Sequence, residues 1–526
     1  MKIFIRLIVI FALSFHYVSF SQQGTSSSPI ELPNFIIEGK EQLNVRAGMK
    51  QVPDKPISLT KEELDSINSL EKKPSFLLPL KTIPYKIYEK NFYSGFLKGE
   101  FGRYYSPRIE AGYEFEIENY KLFANGNFDA SQGHIDNADY NRFDFTVSSQ
   151  YIAPKKFYIF GGSKTVTSFN VKNDNLKLYA IKEPEKRNAL LLCFDVISEG
   201  DFEGFAFETG AHIDFFTLKD RNKEKESAFE LFLSASKEIG DFDIGALVKY
   251  EVDNLDAFSN SFAQFNGRIS YINSFLTFIT DAGVQGKSDF ISNDLGLFLD
   301  ANLNVNINKD FTLRNNLTSR YFKYGLLDYF YQNPYVTDSA DVAIPDILSF
   351  KSSLLFHPSD RFSVSLSASI SSSETQPVFV YDSIGSFNIL YEKSKAWAIT
   401  CDADISLTKK DLLSFAITFQ KNELKSTSKW APYVPAYKIA ANYGRAWSEK
   451  FGTQFEIISF SERYVDLLNQ HKLSSFLCLN AYADYKLSDS FTVYAKANNL
   501  LNSNVFLWER YKERDLFLAA GIFYKF

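Results

Sequence analysis

Residues 516–526 read LFLAAGIFYKF, and alternate positions along this stretch are apolar. Successive side chains of a β-strand point to opposite faces, so a period of two assigns one set of residues to each face. The outer, apolar set comprises Leu516, Leu518, Ala520, Ile522, Tyr524 and Phe526. A strand with such a face is typical of a membrane-spanning barrel, and an edge strand of a soluble sheet is the alternative interpretation.

The same alternation recurs upstream, which favours the membrane-spanning interpretation. Between residues 295 and 307 every odd position is apolar, whereas the even positions from 300 onward hold Asp300, Asn302, Asn304 and Asn306. In Phe362–Ile370 every second residue is serine. We therefore expect the apolar side chains to face lipid and the polar side chains to face a wet lumen.

Segments of this kind indicate an all-β protein, a transmembrane antiparallel β-barrel of about 22 strands over residues 93–526. Tight turns such as Glu199–Asp201 and Gly240-Asp241 alternate with longer connections. The longer connections are expected near residues 171–187, 326–346, 374–395, 425–435, 465–472 and 503–514. Short turns at one end and long loops at the other are the layout of an outer-membrane barrel with both termini in the periplasm.

The N-terminus has the features of a secretory signal peptide. Lys2 and Arg6 form a basic region, residues 7–15 form a short apolar run, and Ser19–Ser21 offers a cleavage site. We predict that the signal peptide comprises residues 1–21. Since no later stretch has the apolar length of a transmembrane helix, a membrane location requires a closed barrel, which satisfies its backbone hydrogen bonds in lipid.

Residues 22–92 are predicted to form a short N-terminal periplasmic segment. This stretch is rich in Pro, Lys and Glu, unlike the aromatic-rich remainder of the chain. Thr60 and Glu63 match a capping box, and apolar residues at helical spacing follow them. This pattern predicts one short helix over Lys61–Lys72.

Composition narrows the range of functions. The chain has 52 Phe and 30 Tyr but only 2 Met and 3 Cys, and aromatic enrichment suits the interfacial girdles of a barrel. A net charge of −6 argues against nucleic-acid binding. The cysteines, interpreted as packing residues inside strands, are Cys193, Cys401 and Cys478. The histidines beyond the signal peptide are His134, His212, His357 and His471, and they show no metal-ligand spacing. We therefore expect no metal site, no cofactor and no enzymatic activity.

The end of the chain resembles a known family. The segment Ala495–Asn502, AKANNLLN, looks like the penultimate-strand signature of TonB-dependent outer-membrane receptors, and Tyr511 and Gly521–Phe526 match the rest of that ending. The resemblance covers residues 93–526 and implies the outer membrane of a Gram-negative bacterium. It also implies contact with outer-membrane lipid and insertion by the barrel-assembly machinery. The residues expected to carry the assembly signal are Leu518, Ala520, Ile522, Tyr524 and Phe526.

The chain departs from that family at its N-terminal side. TonB-dependent receptors carry a plug domain ahead of the barrel, and residues 22–92 are too few to form a full one. Phe35–Lys40 resembles only faintly the segment with which such receptors engage TonB, so TonB-driven transport stays open. The lumen of a barrel this wide is either partly open, filled by loops and the periplasmic segment, or closed by a partner protein.

Two sets of residues are candidates for binding. Aromatic residues in the long loops could contact a ligand, or they could belong to the interfacial girdle. They are Tyr329, Phe330, Tyr331, Tyr335, Trp430 and Tyr433. Acidic positions on the lumen side could favour cations, or they could form a solvated wall balanced by Lys121 and Lys249. These positions are Glu110, Glu114, Glu116, Asp243 and Glu251.

Two functional hypotheses follow from the sequence. The first is a transporter-like, receptor-like or channel-like barrel, related to TonB-dependent receptors, that passes or binds a solute at the cell surface. The second is a non-transport barrel that acts as an outer-membrane anchor or assembly partner for a periplasmic or surface protein. Conductance across a bilayer separates the two.

Overall fold

The structure is a computed structural model that describes residues 95–117, 119–157, 160–359, 361–382, 384–408 and 410–526. The predicted signal peptide 1–21, the periplasmic segment 22–92 and its helix over Lys61–Lys72 lie outside the described residues. Across the described ranges, no helix has both the length and the apolar character needed to cross a membrane.

The described residues form 27 strands and one short helix. The first thirteen strands are β1 (Gly95–Gly102), β2 (Ser106–Ile117), β3 (Tyr120–Ser131), β4 (Tyr140–Ile152), β5 (Lys164–Lys177), β6 (Lys186–Phe202), β7 (Phe205–Lys219), β8 (Lys223–Ile239), β9 (Phe242–Leu255), β10 (Ser259–Ile272), β11 (Leu276–Ser288), β12 (Asn293–Asn306) and β13 (Phe311–Tyr321). Helix α1 (Leu326–Gln332) follows. The remaining strands are β14 (Asp346–Ser359), β15 (Phe362–Tyr381), β16 (Phe387–Thr408), β17 (Asp411–Leu424), β18 (Lys429–Trp430), β19 (Tyr437–Ala446), β20 (Phe451–Phe460), β21 (Arg463–Tyr464), β22 (Lys472–Leu473), β23 (Phe476–Lys486), β24 (Phe491–Asn498), β25 (Phe506–Trp508), β26 (Tyr511–Lys512) and β27 (Phe517–Lys525).

A single closed sheet forms the wall of the barrel. It joins 23 strands, of which β18 has only two residues and pairs only with the end of β17, so 22 strands make up the wall. The wall closes because β1 pairs antiparallel with β27, from Phe96 opposite Lys525 to Gly102 opposite Ala519. The predicted all-β antiparallel barrel of about 22 strands is confirmed.

The two faces of the wall follow the predicted alternation. On β12, Leu295 and Leu297 expose 81% and 75% of their surface, as lipid-facing residues do when no lipid is present. On the opposite face Asn316 donates to Asp300 and to Asn302 over 2.9 Å each, and Asn302 donates to Asp300 over 3.0 Å. At this point of the wall the lumen-facing polar side chains hydrogen-bond to one another, while the outer face is left to lipid.

The turn between β6 and β7 differs from its predicted position at Glu199–Asp201. The strands run on, and the turn consists of Glu203 and Gly204. These two residues have φ of 53° and 79°, the left-handed pair that matches the twist of a two-residue hairpin. Only Gly adopts such angles without steric cost, so Gly204 rather than Gly200 determines where the chain turns.

The other end of the barrel carries the long connections. The longest are residues 322–345, 425–436, 461–475 and 499–516. The expected loop near 374–395 is instead a hairpin, because β15 continues to Tyr381 and β16 begins at Phe387. We call this end of the barrel the mouth, and residues 322–345 the mouth loop.

Candidate functional site

The mouth loop begins with a helix that is tied to the barrel wall. Asp328 accepts a hydrogen bond from the backbone N–H of Gly325 over 2.7 Å, which caps the first turn of α1. The Glu226 carboxylate on β8 accepts from the N–H groups of Leu326 and Leu327 over 2.7 and 2.9 Å. Otherwise unpaired N–H groups of the helix thus bond to the wall.

Three further wall strands donate hydrogen bonds to backbone carbonyls of the mouth loop. Arg187 on β6 is 1% exposed and donates to the carbonyls of Pro334 and Val336 as well as to the Asp220 carboxylate. Asn260 on β10 donates to the Val342 carbonyl over 2.8 Å. Lys287 on β11 donates to the Ile344 carbonyl, also over 2.8 Å.

The mouth loop also reaches the other side of the barrel. Its residue Thr337 donates to the Phe387 carbonyl over 2.8 Å, and Phe387 donates back to Tyr335 over 2.9 Å, which joins the loop to the start of β16. The Tyr335 ring stacks on Tyr511, with centroids 3.4 Å apart. Because Tyr511 lies just before β27 and the anchors above come from β6 to β11, the mouth loop crosses the lumen.

A buried apolar cluster fills the space around the crossing. It combines the mouth loop with the tops of β6, β7, β15 and β16 and with the loops near 433 and 508. Its fully buried members include Leu218, Leu326, Tyr329, Val336, Phe387 and Tyr511. The loops and inward-facing side chains therefore form a hydrophobic core inside the mouth, as in a small soluble domain.

The loop aromatics predicted from the sequence lie in or beside this core. Tyr329, Phe330 and Tyr433 are buried within it, and Tyr335 makes the stack described above. Trp430 belongs to a separate cluster around Leu424. Tyr331 alone among the six exposes much of its ring, with 47% of its surface accessible. Contact of these residues with a ligand remains a prediction.

A cavity of about 340 Å³ lies beside the mouth loop. Its lining comes from the ends of strands on both sides of the β1–β27 closure and from residues 513–517. The guanidinium groups of Arg142 and Arg514 lie 4.7 and 5.1 Å from the Tyr140 ring centroid, and Arg514 also donates to the Tyr140 hydroxyl. Cations against an aromatic face leave their outer edges available for an anionic or hydroxyl-bearing solute.

Two titratable loop residues shape the electrostatics of this cavity. Burial raises the pKa of Glu513, against the pull of Arg514 and Arg142. Burial lowers the pKa of His134, whose Nε2 lies 2.7 Å from the Lys512 carbonyl and must carry the hydrogen. The lining therefore places the cationic side chains of Arg142, Lys177 and Arg514 beside four acidic ones, an arrangement suited to a polar solute. The acidic residues are Asp139, Glu456, Glu513 and Asp515.

Sequence reasoning did not identify this cavity. Its lining extends from His134 to Phe517 and comes from widely separated segments, so no local motif marks it. The charged run Glu513–Asp515 lies at the edge of one predicted long loop and is the only local signal.

The acidic residues of the lumen wall have basic neighbours. Lys249 lies 2.7 Å from Glu251 and 3.3 Å from Glu230. Lys121 lies 3.7 Å from Glu116, and Glu110 lies within 4 Å of two cationic side chains. Charge is thus balanced at three of the five predicted acidic positions, as one of the two interpretations expects, but Lys249 and Glu251 are buried rather than solvated.

No family model matches the chain, and a search of curated proteins gives no match. Solved structures with a similar fold include the siderophore receptor PirA from Acinetobacter baumannii, at TM-score 0.65 and 10% identity over 82% of this chain and 80% of that chain. The FrpB iron transporter from Neisseria meningitidis has TM-score 0.66 and 8% identity over 83% and 82% of the two chains. The copper transporter OprC has TM-score 0.62 and 10% identity over 82% and 80%. This chain therefore has the fold of outer-membrane receptor barrels, as its C-terminal sequence predicts.

Proposed function

We propose that this chain is an outer-membrane transport barrel of the receptor type, which binds a small solute at its mouth and passes it when the mouth loop moves. The observation that carries the proposal is the crossing of the lumen by a loop whose backbone is bonded to polar and charged groups of the wall. In this proposal the mouth lies at the cell surface and both barrel termini lie in the periplasm.

The chemistry of the anchors supports a movable closure over a permanent one. Arg187 and Lys287 are buried charged groups that bond to the mouth loop, and Glu226 is a buried carboxyl group that does so as well. Buried charges carry a desolvation penalty, and an apolar contact of similar volume is often as stable or more stable. When a closure built on charged groups opens, these groups can exchange their protein partners for water. A purely structural cap would gain little from charged groups.

The cavity beside the mouth loop supports a polar solute, because charged groups of both signs line it. Arg142 and Arg514 supply planar donors that match carboxylate or phosphate geometry, and Tyr179 and Phe517 supply apolar walls. The structural neighbours include siderophore, iron and copper receptors or transporters by name, and a transport role for this chain is in line with that likeness.

Single-channel conductance of the purified mature protein in planar bilayers tests the proposal. We compare the wild type with two variants, one lacking residues 326–343 and one in which the same residues are replaced by an equally long Gly/Ser segment. The wild type should show low or intermittent conductance, and both variants should show a large, steady conductance. The equal-length replacement controls for shortening the chain, because it removes only the specific contacts.

The alternative of a non-transport anchor makes the opposite prediction. An anchor should show no conductance in any of the three forms and should co-purify with a stable partner protein. Truncation of residues 22–92 in each form tests whether the periplasmic segment contributes to closing the lumen. Equal conductance of the wild type and both mouth-loop variants would overturn the proposed gate.

A further inference from the structure

Two neighbouring wall strands place four chemically reactive side chains together in the lumen. On β6, Leu192 and Phe194 are exposed to the lipid side, so the intervening Cys193 and Asp195 face inward. On β7, Phe215 faces outward and Asp214 faces inward with His212. The antiparallel register pairs Asp195 with His212 and Cys193 with Asp214.

The side chains of Cys193, Asp195 and Asp214 converge on the imidazole of His212. His212 Nε2 lies 2.7 Å from Asp214, and His212 Nδ1 is bonded to Asp195. Cys193 Sγ lies 3.3 Å from the Asp195 carboxylate and 3.9 Å from His212 Nδ1. One donor atom from each of Cys193, His212 and Asp214 lies within 4.8 Å of the others.

We propose that these four residues form a binding site for a divalent transition-metal ion of the zinc class. Cys193 Sγ, His212 Nδ1 and an oxygen of Asp195 are the ligands, and Asp214 accepts the N–H of His212 Nε2. Bonds of about 2.0–2.3 Å to one zinc ion separate neighbouring tetrahedral ligands by about 3.3–3.8 Å. The observed separations of 3.3 and 3.9 Å from the sulfur are close to this range, whereas the short hydrogen bond between His212 Nδ1 and Asp195 must lengthen once its proton is lost.

The donor set also has the chemistry that zinc requires. Thiolate, imidazole and carboxylate are the protein ligands of Zn²⁺, and a second carboxylate on the far ring nitrogen is the usual partner that orients a metal-bound histidine. Metal binding displaces two protons, one from the Cys193 thiol and one from His212 Nδ1. The proton on His212 Nε2 stays and is donated to Asp214. Three protein ligands leave a fourth position for water or for a further ligand from the lumen.

The metal site lies beneath the helix of the mouth loop. Phe216, two residues beyond Asp214 on β7, packs on Phe330 of α1 with centroids 5.6 Å apart. Lys172 Nζ lies 4.2 Å from the centroid of Tyr331, the next residue of α1. The enclosing protein raises the pKa of Tyr331, and the nearby Asp214 carboxyl and Cys193 sulfur act in the same direction. Tyr331 therefore lies close to the metal site.

Zinc binding to the full mature protein in detergent tests the proposal. The wild type, stripped with a chelator, should take up one Zn²⁺ per chain by calorimetry and elemental analysis. Cys193→Ser and His212→Ala should each weaken binding at least tenfold, and Asp214→Asn should weaken it about 10–100-fold. Cys401→Ser is the matched control, because Cys401 lies on the outward face of β16 with Ile399, and its affinity should equal that of the wild type.

Co²⁺ substitution adds a readout that a purely structural role for the thiol would not produce. Thiolate ligation gives a charge-transfer absorption that should be present in the wild type and in Cys401→Ser and lost in Cys193→Ser. Heat-modifiable migration on gels confirms that each variant is folded. Absence of a stoichiometric site in folded wild-type protein, or equal affinity in Cys193→Ser and His212→Ala, would overturn the proposal. Neither result depends on the mouth-loop conductance, so this proposal stands or falls separately from the transport function.

Discussion

In the barrel wall each strand pairs with the next wall strand in the sequence, whereas contacts at the mouth join distant segments. β6 and β7 pair along their whole length across a two-residue turn. At the mouth, Arg187 bonds to Pro334, 147 residues away, and Tyr511 bonds to Gly385, 126 residues away. Local pairing can be inferred from a repeating pattern, but a contact between distant loops depends on the fold that brings them together.

The two regions also distribute polarity in opposite ways. In the wall, apolar side chains face outward and polar ones face the lumen, as on β12. At the mouth, the apolar residues face inward and surround buried charges such as Arg187. The wall thus needs an apolar surrounding on its outer face, and the mouth is organised like a water-soluble core. Perturbing one region should leave the other largely intact.

The largest effect is expected from Arg187→Met, which removes the anchor shared by Asp220 and the mouth loop. Loss of one partner leaves the buried Asp220 carboxylate without its cation and costs about 3–5 kcal/mol. That cost should fall on docking of the mouth loop. We expect rapid protease cleavage within residues 322–345 and a higher bilayer conductance, with unchanged heat-modifiable migration of the barrel.

Arg463→Met is the matched control for this test. Arg463 is also buried at the mouth, but it donates to the Phe506 carbonyl and not to the mouth loop. Its loss should loosen residues 461–475 without raising the conductance. If both variants open the channel equally, the mouth unfolds as one unit and Arg187 has no special role.

The wall is tested by a charge on either side of β12. Leu299→Arg places a cation on the lipid face near the middle of the strand and should cost about 2–4 kcal/mol. Asn302→Arg, on the lumen face, loses hydrogen bonds to Asp300 and Asn316 but can pair with Asp300, so its cost should be about 1 kcal/mol. Refolding yield in lipid vesicles measures the difference, and equal yields would contradict the assigned faces.

The same contrast explains how much could be predicted from the sequence. Period-two alternation defines the faces of β12 and β27, and counting such segments predicted the 22-strand wall. The turn at Glu203-Gly204 was misplaced, because Gly200 and Gly204 are equally plausible turn residues and only the pairing register selects one of them. The hairpin of β15 and β16 was read as a loop, since its upper half is stabilised by packing onto the mouth core.

The site residues show the limit of local patterns more clearly. Aromatic residues in long loops could be identified, but whether a ring such as Tyr329 is buried or available depends on distant partners. Cys193 was interpreted as a packing residue, and His212 shows no metal-ligand spacing along the chain. Their proximity arises across two strands, where register and not spacing sets the distance.

Docking of the mouth loop should weaken as the pH rises. Burial and a hydrogen bond with Asp220 raise the pKa of Asp338 to about 6. The pKa of Asp220 is lowered instead, because its bonds from Asp338 and Arg187 outweigh its burial. A raised pKa means that the docked state favours the protonated carboxyl. The contribution of Asp338 to docking of the mouth loop is complete below its ordinary pKa near 3.8 and is lost as the pH rises past about 6. We expect about 1–2 kcal/mol less docking energy at pH 7 than at pH 4.

Conductance and proteolysis of residues 322–345, measured from pH 4 to pH 7, check this prediction. Opening should increase across that range in the wild type. Asp338→Asn keeps a neutral group of similar shape beside Asp220 and should reduce the pH dependence. A wild-type curve that is flat, or that opens towards low pH, would show that Asp338 does not control docking.

The smallest equilibrium effect is expected at Phe526, where the wall closes and where the assembly signal is predicted to end. Phe526 exchanges two backbone hydrogen bonds with Gly95, of 2.9 and 3.0 Å, and its ring stacks on Tyr113. Phe526→Ala removes only the ring, at about 1 kcal/mol, whereas deletion of Phe526 also removes the closing hydrogen bonds. If the ring is read during assembly, both variants should insert slowly in cells although Phe526→Ala refolds almost normally in vesicles. Normal outer-membrane levels of both variants would show that Phe526 acts only in closing the barrel. A recognition defect must appear before folding, whereas a closure defect appears only after it.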